Sequence, residues 1–406
     1  MKLIWAAAVA LLSAGPACGG GGGSETGGAD AGTAEDARRG ADAGGGCQRA
    51  PAPADRVRYG VVSHPYGQDG SPASGWQVLS LDASGALAAT GETFAMGRAT
   101  AGSVAFTPDG AVGVAAQEDG SLGVFTLSAD GDVEVLETGW HGTAYAGSVV
   151  AAPDGGGVYV LDSQWRENGG GVYRVDIDCD GQVTDGGLVA AARLPYALVF
   201  AGDGGGRALA AASDILDSSA GADVHLLDMA GGDLLAGADP FPDDEQIVAS
   251  AALTADGAYL LVGDNNQFYS SEKLANRVAV VRVGGDSLTA EQTLPVEDPV
   301  AIAVSPFDDG AIVVSGFGDA IVALTRGGGD DEPFALAGEI DYDGAAPQLP
   351  GPVAAVDRGS LRGHLLVAEL VGVRHLRFTR GAVTDLGLVS LGDGNAAITG
   401  ALGLQP

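Results

Sequence analysis

A short apolar strand, a tight acidic-glycine turn and a second short apolar strand recur along this chain. The clearest copies are Val104-Ala105-Phe106-Thr107-Pro108-Asp109-Gly110 and Val149-Val150-Ala151-Ala152-Pro153-Asp154-Gly155. Others close on Asp203-Gly204, Asp256-Gly257, Asp309-Gly310 and Arg358-Gly359, and successive glycines lie 45 to 53 residues apart. A unit of that length with several strands is what a propeller blade supplies. The copy that starts at residue 103 shows the content of one unit. Strands are predicted over 103–107, 111–116, 122–127 and 133–137, and Asp130-Gly131 closes the last hairpin.

The ends of the chain complete the count. Residues 57–63, 76–81 and 86–91 read as the second, third and fourth strands of a unit whose first strand is missing. Residues 396–402 read as an orphan strand after the last complete unit. Joining the two predicts an all-β, seven-bladed β-propeller of four-stranded antiparallel blades, closed by the C-terminal strand. Ring closure removes the open sheet edges that invite aggregation.

The run through Pro108-Asp109-Gly110 and on to Leu122-Gly123-Val124-Phe125-Thr126-Leu127-Ser128-Ala129-Asp130-Gly131 resembles the seven-bladed propellers of the lactonase and YVTN type. Residues 104–137 and 251–283 carry the likeness best, and it spans roughly residues 57–404. It implies the fold; function depends on sites grafted onto a fold.

The N-terminus reads as an export signal. Lys2 precedes an apolar run over residues 3–12, too short to span a bilayer as a mature helix. Gly15-Pro16-Ala17 supplies small residues before Cys18. This arrangement resembles the lipobox of bacterial lipoproteins and departs from it at Gly15, where leucine is usual. The resemblance implies a signal peptide over residues 1–17 and a lipid on Cys18. Ordinary cleavage leaving a free Cys18 is the rival reading. Residues 18–54 are Gly/Ala/Asp-rich with almost no apolar bulk, so they are expected to be a disordered tether. The propeller domain is then residues 55–406. Export would place it at the outer membrane or cell surface, held by the lipid anchor alone.

The remaining cysteines, Cys47 and Cys179, either form a disulfide, which an exported chain permits, or are two separate thiols. The formal net charge of −33 repels phosphate backbones and excludes nucleic acid as a partner. An envelope protein, peptide or glycan is the expected partner of a monomeric propeller.

Propeller ligands sit over the channel mouth, on loops joining second to third strands and on crossovers between blades. His64, His141, Arg98, Arg166 and Arg193 fall there. A lactonase needs a base to activate water and cations to hold a charged substrate, and these five residues are the candidates for those roles. The chain contains no His-Glu-x-x-His and no Gly-x-Ser-x-Gly. Asp176, Asp178 and Asp180 alternate before Gly181 like the first half of a calcium loop, without the glutamate at its twelfth place. They equally fit a solvent-facing hairpin turn. Two functional readings follow: a cell-envelope lipoprotein whose propeller binds or scaffolds, and a lactonase-like hydrolase of a sugar-derived lactone.

Overall fold

The structure, a computed structural model, describes residues 47, 49–66, 72–162, 170–192, 194–202, 206–212, 222–242, 248–265, 276–327, 329, 332–391 and 400–406. Seven four-stranded antiparallel sheets follow one another along the chain. Blade 1 holds β1 (Arg58–Tyr66), β2 (Pro72–Leu81) and β3 (Leu87–Ala95). Blade 2 is β4 (Ala99–Phe106), β5 (Val112–Gln117), β6 (Leu122–Leu127) and β7 (Val133–Trp140). Blade 3 is β8 (Ala146–Ala151), β9 (Gly157–Asp162), β10 (Gly171–Ile177) and β11 (Val183–Ala190). Blade 4 is β12 (Pro195–Phe200), β13 (Arg207–Ala212), β14 (Val224–Asp228) and β15 (Leu234–Ala238). Blade 5 is β16 (Val248–Leu253), β17 (Tyr259–Asp264), β18 (Arg277–Val283) and β19 (Leu288–Pro295). Blade 6 is β20 (Pro299–Val304), β21 (Gly310–Ser315), β22 (Ala320–Arg326) and β23 (Phe334–Glu339). Blade 7 is β24 (Val353–Ala355), β25 (His364–Glu369), β26 (Gly372–Thr379) and β27 (Ala382–Ser390). The last strand, β28 (Leu402–Leu404), joins blade 1 beside β1.

The ring is therefore closed by both ends of the chain, at a place a few residues beyond the one expected. Gly60 pairs with Leu404, Val61 with Gly403 and Val62 with Leu402. Of the expected closing strand 396–402, Ile398 and its neighbours through 399 lie outside the described residues. Flanking bonds lengthen the seam: Ser63 donates its N–H to the Ala401 carbonyl at 2.9 Å, and Gln405 donates to the Tyr59 carbonyl at 2.9 Å.

The core is divided among the blade interfaces rather than pooled in one mass. Seven large apolar clusters each lie between two neighbouring blades, such as Val112, Val114, Val124, Val158, Val160 and Val175 between blades 2 and 3. Each second strand is covered on both faces, and β5, β9, β17, β21 and β25 are buried along their whole length. Burial on both faces explains why these strands read as continuous apolar runs with no polar alternation. Small side chains let the blades approach closely. A Cβ on Gly403 of blade 1 would lie 2.6 Å from the Val104 side chain of blade 2.

The acidic-glycine signature is turn chemistry. Thr107 donates its hydroxyl to the Asp109 carboxylate at 2.7 Å, and Asp109 accepts the Ala111 N–H at 3.0 Å. Thr254 and Asp256 repeat the pattern with Ala258 at 2.7 and 3.0 Å. The glycine then takes a left-handed backbone, with φ of 73° at Gly110, 75° at Gly155 and 72° at Gly257. Glycine is favoured there because a Cβ is strained in that region. Blade 6 departs from the expected equivalence. Asp308 takes the left-handed position, at φ 59°, and Gly310 is the first residue of β21.

A buried histidine pair marks the interface of blades 7 and 1. His364 Nδ1 lies 2.8 Å from His375 Nε2, and a Cβ on Gly85 of blade 1 would meet the His364 ring at 2.6 Å. Burial pushes His375 down to about 4, helped by His364 and opposed by Asp385; burial and Arg377 lower His364. Both rings are neutral in the fold, while an unfolded histidine takes up a proton near pH 6.5. Stability is thus full above about pH 6.5 and falls toward pH 4, by up to about 1.4 kcal/mol per pH unit for one such group. Thermal midpoints between pH 7.5 and 4.5 should fall more steeply for the wild type than for His375→Leu. Parallel slopes would show that the pair plays no part.

Candidate functional site

Antiparallel order divides the loops between two faces. First-to-second and third-to-fourth turns form the lower face. Second-to-third loops and blade-to-blade crossovers form the upper face, where the candidate catalytic residues were expected.

Buried polar side chains at the ends of second strands organise the upper face. Gln117, Asp162, Asp264, Ser315 and Glu369 end β5, β9, β17, β21 and β25, and each is at most 3% exposed. Asp162 accepts the Tyr145 N–H at 3.1 Å, and Glu369 accepts the Gln348 N–H at 3.3 Å. Both donors lie on the crossover entering the acid's own blade. Blade 6 inverts the arrangement: Asp298, on the crossover, accepts the Phe317 N–H from the loop after β21. These carboxylates are hooks for crossovers. Buried amides need acceptors, and a carboxylate supplies strong ones.

Strained backbone lies beside these hooks. Leu194, Asp298 and Leu349 adopt φ of 45°, 46° and 44°, each immediately before a proline on a crossover. Asp319, in the loop after β21, sits at φ 50° and accepts the Leu349 N–H at 2.7 Å. Left-handed non-glycine residues cost of order 1–3 kcal/mol each and persist only where the surroundings over-determine them. Four of the five such residues among the described positions lie on the upper face; Asp308 is the exception.

The most heavily engaged group is Arg374 of β26. Its guanidinium pairs with Glu369 and Asp385, and all three side chains are 1% exposed. It also donates to the Ala345 carbonyl at 2.8 Å and lies 5.2 Å from the Tyr342 ring centre. Asp385 accepts the Asp343 N–H at 2.9 Å. The Pro-rich crossover 342–352 is thereby pinned by a buried ion triad. Burial raises the Glu369 carboxyl, against the lowering effect of Arg374. Its loop-like context in the sequence did not reveal this role, because Arg374 and Asp385 reach it only through strand pairing.

Of the five candidate catalytic residues, His64, His141 and Arg98 lie among the described residues. His64 lies within β1 and is 8% exposed, packed in blade 1 rather than displayed on a loop. His141 stands exposed on the crossover from blade 2 to blade 3. Arg98 forms an ion pair with Glu118, and its carbonyl accepts the Glu118 N–H at 2.8 Å. Arg166, Arg193 and Cys18 lie outside the described residues.

The alternating aspartates serve a lower-face turn. Asp176 bonds Arg174 at 2.8 Å, and Asp178 Oδ1 accepts the N–H groups of Asp180 and Gln182 at 2.9 and 2.8 Å. Asp180 is exposed in the turn. No group of three metal-ligating side chains placed to hold an ion occurs among the described residues. Alternation along a strand did not bring these carboxylates to a common centre, because Arg174 and the turn amides engage them first. Cys179, between them, is bonded to Cys47.

A pocket between blades 2 and 3 is lined by Trp140, Thr143, Tyr173 and Asp185 and has room for roughly one water molecule. Asp185 already accepts the Thr143 N–H and hydroxyl, both at 2.6 Å. The exposed acids Asp119, Glu297, Asp319, Asp341 and Asp343 edge the upper face.

Neither a protein-family model nor a curated protein matches the chain. Solved structures match it in fold. A periplasmic gluconolactonase of Pseudomonas aeruginosa aligns with a TM-score of 0.57 at 17% identity, covering 83% of this chain and 98% of that one. A candidate 6-phosphogluconolactonase of Bacteroides fragilis gives 0.58 at 13% identity, covering 87% and 99%. Hydrazine synthase of Kuenenia stuttgartiensis gives 0.55 at 16% identity, covering 79% and 95%. In fold, the chain is a seven-bladed β-propeller with lactonase-like neighbours. At these identities the likeness concerns architecture, which hosts many chemistries.

Proposed function

We propose that the chain is an exported, lipid-anchored envelope protein whose propeller is a binding scaffold for an envelope protein, peptide or glycan. The observation that carries this reading is the concentration of strained, non-glycine backbone on the upper face, beside carboxylates that accept crossover and loop amides. Strain maintained by a rigid frame is the mark of a surface shaped for a task. The same acceptors are committed to backbone amides, which favours recognition over acid–base chemistry. The lipobox-like Cys18 and the stretch after it motivate the anchor.

The lactonase-like alternative draws on the fold neighbours and on His64, His141 and Arg98. Against it stand the burial of His64 inside a strand and the engagement of Arg98 by Glu118. One preparation tests both readings. Immobilised protein is exposed to solubilised envelope proteins and to envelope glycan fragments, then assayed on a panel of sugar lactones. The expected result is a component retained by the wild type and lost with Asp119→Lys/Asp319→Lys, with no lactone turnover above background. Turnover that disappears in His64→Ala or His141→Ala would replace the scaffold reading with the hydrolase.

A further inference from the structure

Blade 1 alone takes strands from both ends of the chain, so its closure rests on non-covalent pairing. The innermost strand β28 contributes three residue pairs to it. Residues ahead of β1, expected to be free tether through residue 54, instead contact the lower face at Cys47, Arg49, Ala52 and Asp55. Cys47 is bonded to Cys179 in the third-to-fourth turn of blade 3. Arg49, with a side chain only 7% exposed, donates to the Asp178 and Cys179 carbonyls at 2.7 and 3.2 Å. It also pairs with Asp109 of blade 2 at 3.0 Å.

The path then turns toward the seam. Ala52 donates its N–H to the Pro108 carbonyl of blade 2 at 3.0 Å. The Asp55 carboxylate accepts the Ser360 N–H of blade 7 at 2.8 Å. Arg58, 1% exposed, donates to the Gln405 carbonyl at 3.0 Å and to the Arg358 carbonyl of blade 7 at 3.3 Å. The Gln405 side chain donates in turn to the Gly110 and Leu127 carbonyls of blade 2 at 2.7 and 3.2 Å. A chain from blade 3 through blade 2 to blade 7 thus passes over the lower end of blade 1 and grips the residue after β28.

We propose that Cys47 and residues 49–58 form a latch that keeps the propeller ring shut, with Cys47–Cys179 as its covalent catch. The strap is fixed at one end by the disulfide and at the other by β1. Its hydrogen bonds therefore re-form at high effective concentration whenever one opens. The polar groups it uses are those of the seam itself: the Asp109 turn, the Gln405 cap and the Ser360 turn. A disulfide that only restricted the unfolded chain would stabilise every blade alike. A latch acts on the folded ring, at one seam.

Native-state hydrogen exchange of the full chain separates these cases, because sub-global opening exposes only the amides of the unit that opens. The samples are wild type, wild type with a phosphine reductant, and Cys47→Ser/Cys179→Ser. Release of the catch should speed exchange of β28 and β1 by roughly tenfold or more. Exchange in β13 and β17 should accelerate less than in the seam, by no more than the loss of global stability. Equal acceleration in all blades, or an unaltered seam, would overturn the latch. If the serine variant does not fold, the reduced wild type makes the same comparison.

Discussion

Replacing Arg374 with methionine is expected to destabilise the protein by about 3–5 kcal/mol, the range for removing one partner from a buried ion cluster. The cost comes from what stays behind. Glu369 and Asp385 would remain buried as like charges without their shared cation. Attraction within the triad contributes less than that penalty suggests, because all three groups lost water on folding. A second variant isolates the charge. Glu369→Gln/Asp385→Asn in the methionine background keeps acceptors for the Gln348 and Asp343 amides and removes both negative charges. It should regain a substantial part of the loss. Denaturant midpoints at constant slope measure both effects. A loss below about 1 kcal/mol for Arg374→Met would refute the buried-triad account.

Loss of the Cys47–Cys179 bond is expected to lower stability by about 2–5 kcal/mol, the usual consequence of removing a native disulfide. The bond closes a segment with a sequence separation of 132, near the upper end of the loop-entropy scale. The folded state adds to this through Arg49, whose hydrogen bonds to the Asp178 and Cys179 carbonyls depend on the strap staying in place. Unfolding of wild type and Cys47→Ser/Cys179→Ser, measured without reductant, gives the difference directly. With reductant the two curves should converge. A gap that persists under reduction would assign the loss to the serine side chains rather than to the bond.

Much of the architecture was legible because it rests on local rules repeated many times. Asp109-Gly110, Asp154-Gly155 and Asp256-Gly257 mark turns whose chemistry lies within a few residues, so position in the chain is enough to find them. Covered on both sides, β9 and β17 read as apolar runs. Where the local rule bends, reading by residue type slips: Asp308 replaces glycine in the turn before β21. Closure near residue 402 was recognisable as an orphan strand, yet its register with Val61 was not, since nothing local encodes a partner more than 300 residues away.

The candidate site was much less legible. His64 looked like a loop residue but belongs to β1, which runs on to Tyr66. Asp176, Asp178 and Asp180 have the spacing of cation ligands, but Arg174 and the turn amides occupy two of them. Glu369, Arg374 and Asp385 carry no motif at all. Strand pairing in blade 7 brings them together, and burial then gives the contact its weight.

From the order of its residues alone, this chain determined where most strands lie, how many sheets they make and that its two ends must meet. Those outcomes depend on interactions a few residues long, repeated until they are unambiguous. Tertiary structure alone decided which polar groups are sealed from water, which charges share a cavity and which turn receives Cys47. Those outcomes depend on distance in space, and the energy of a charge or hydrogen bond is set by the solvent it has lost.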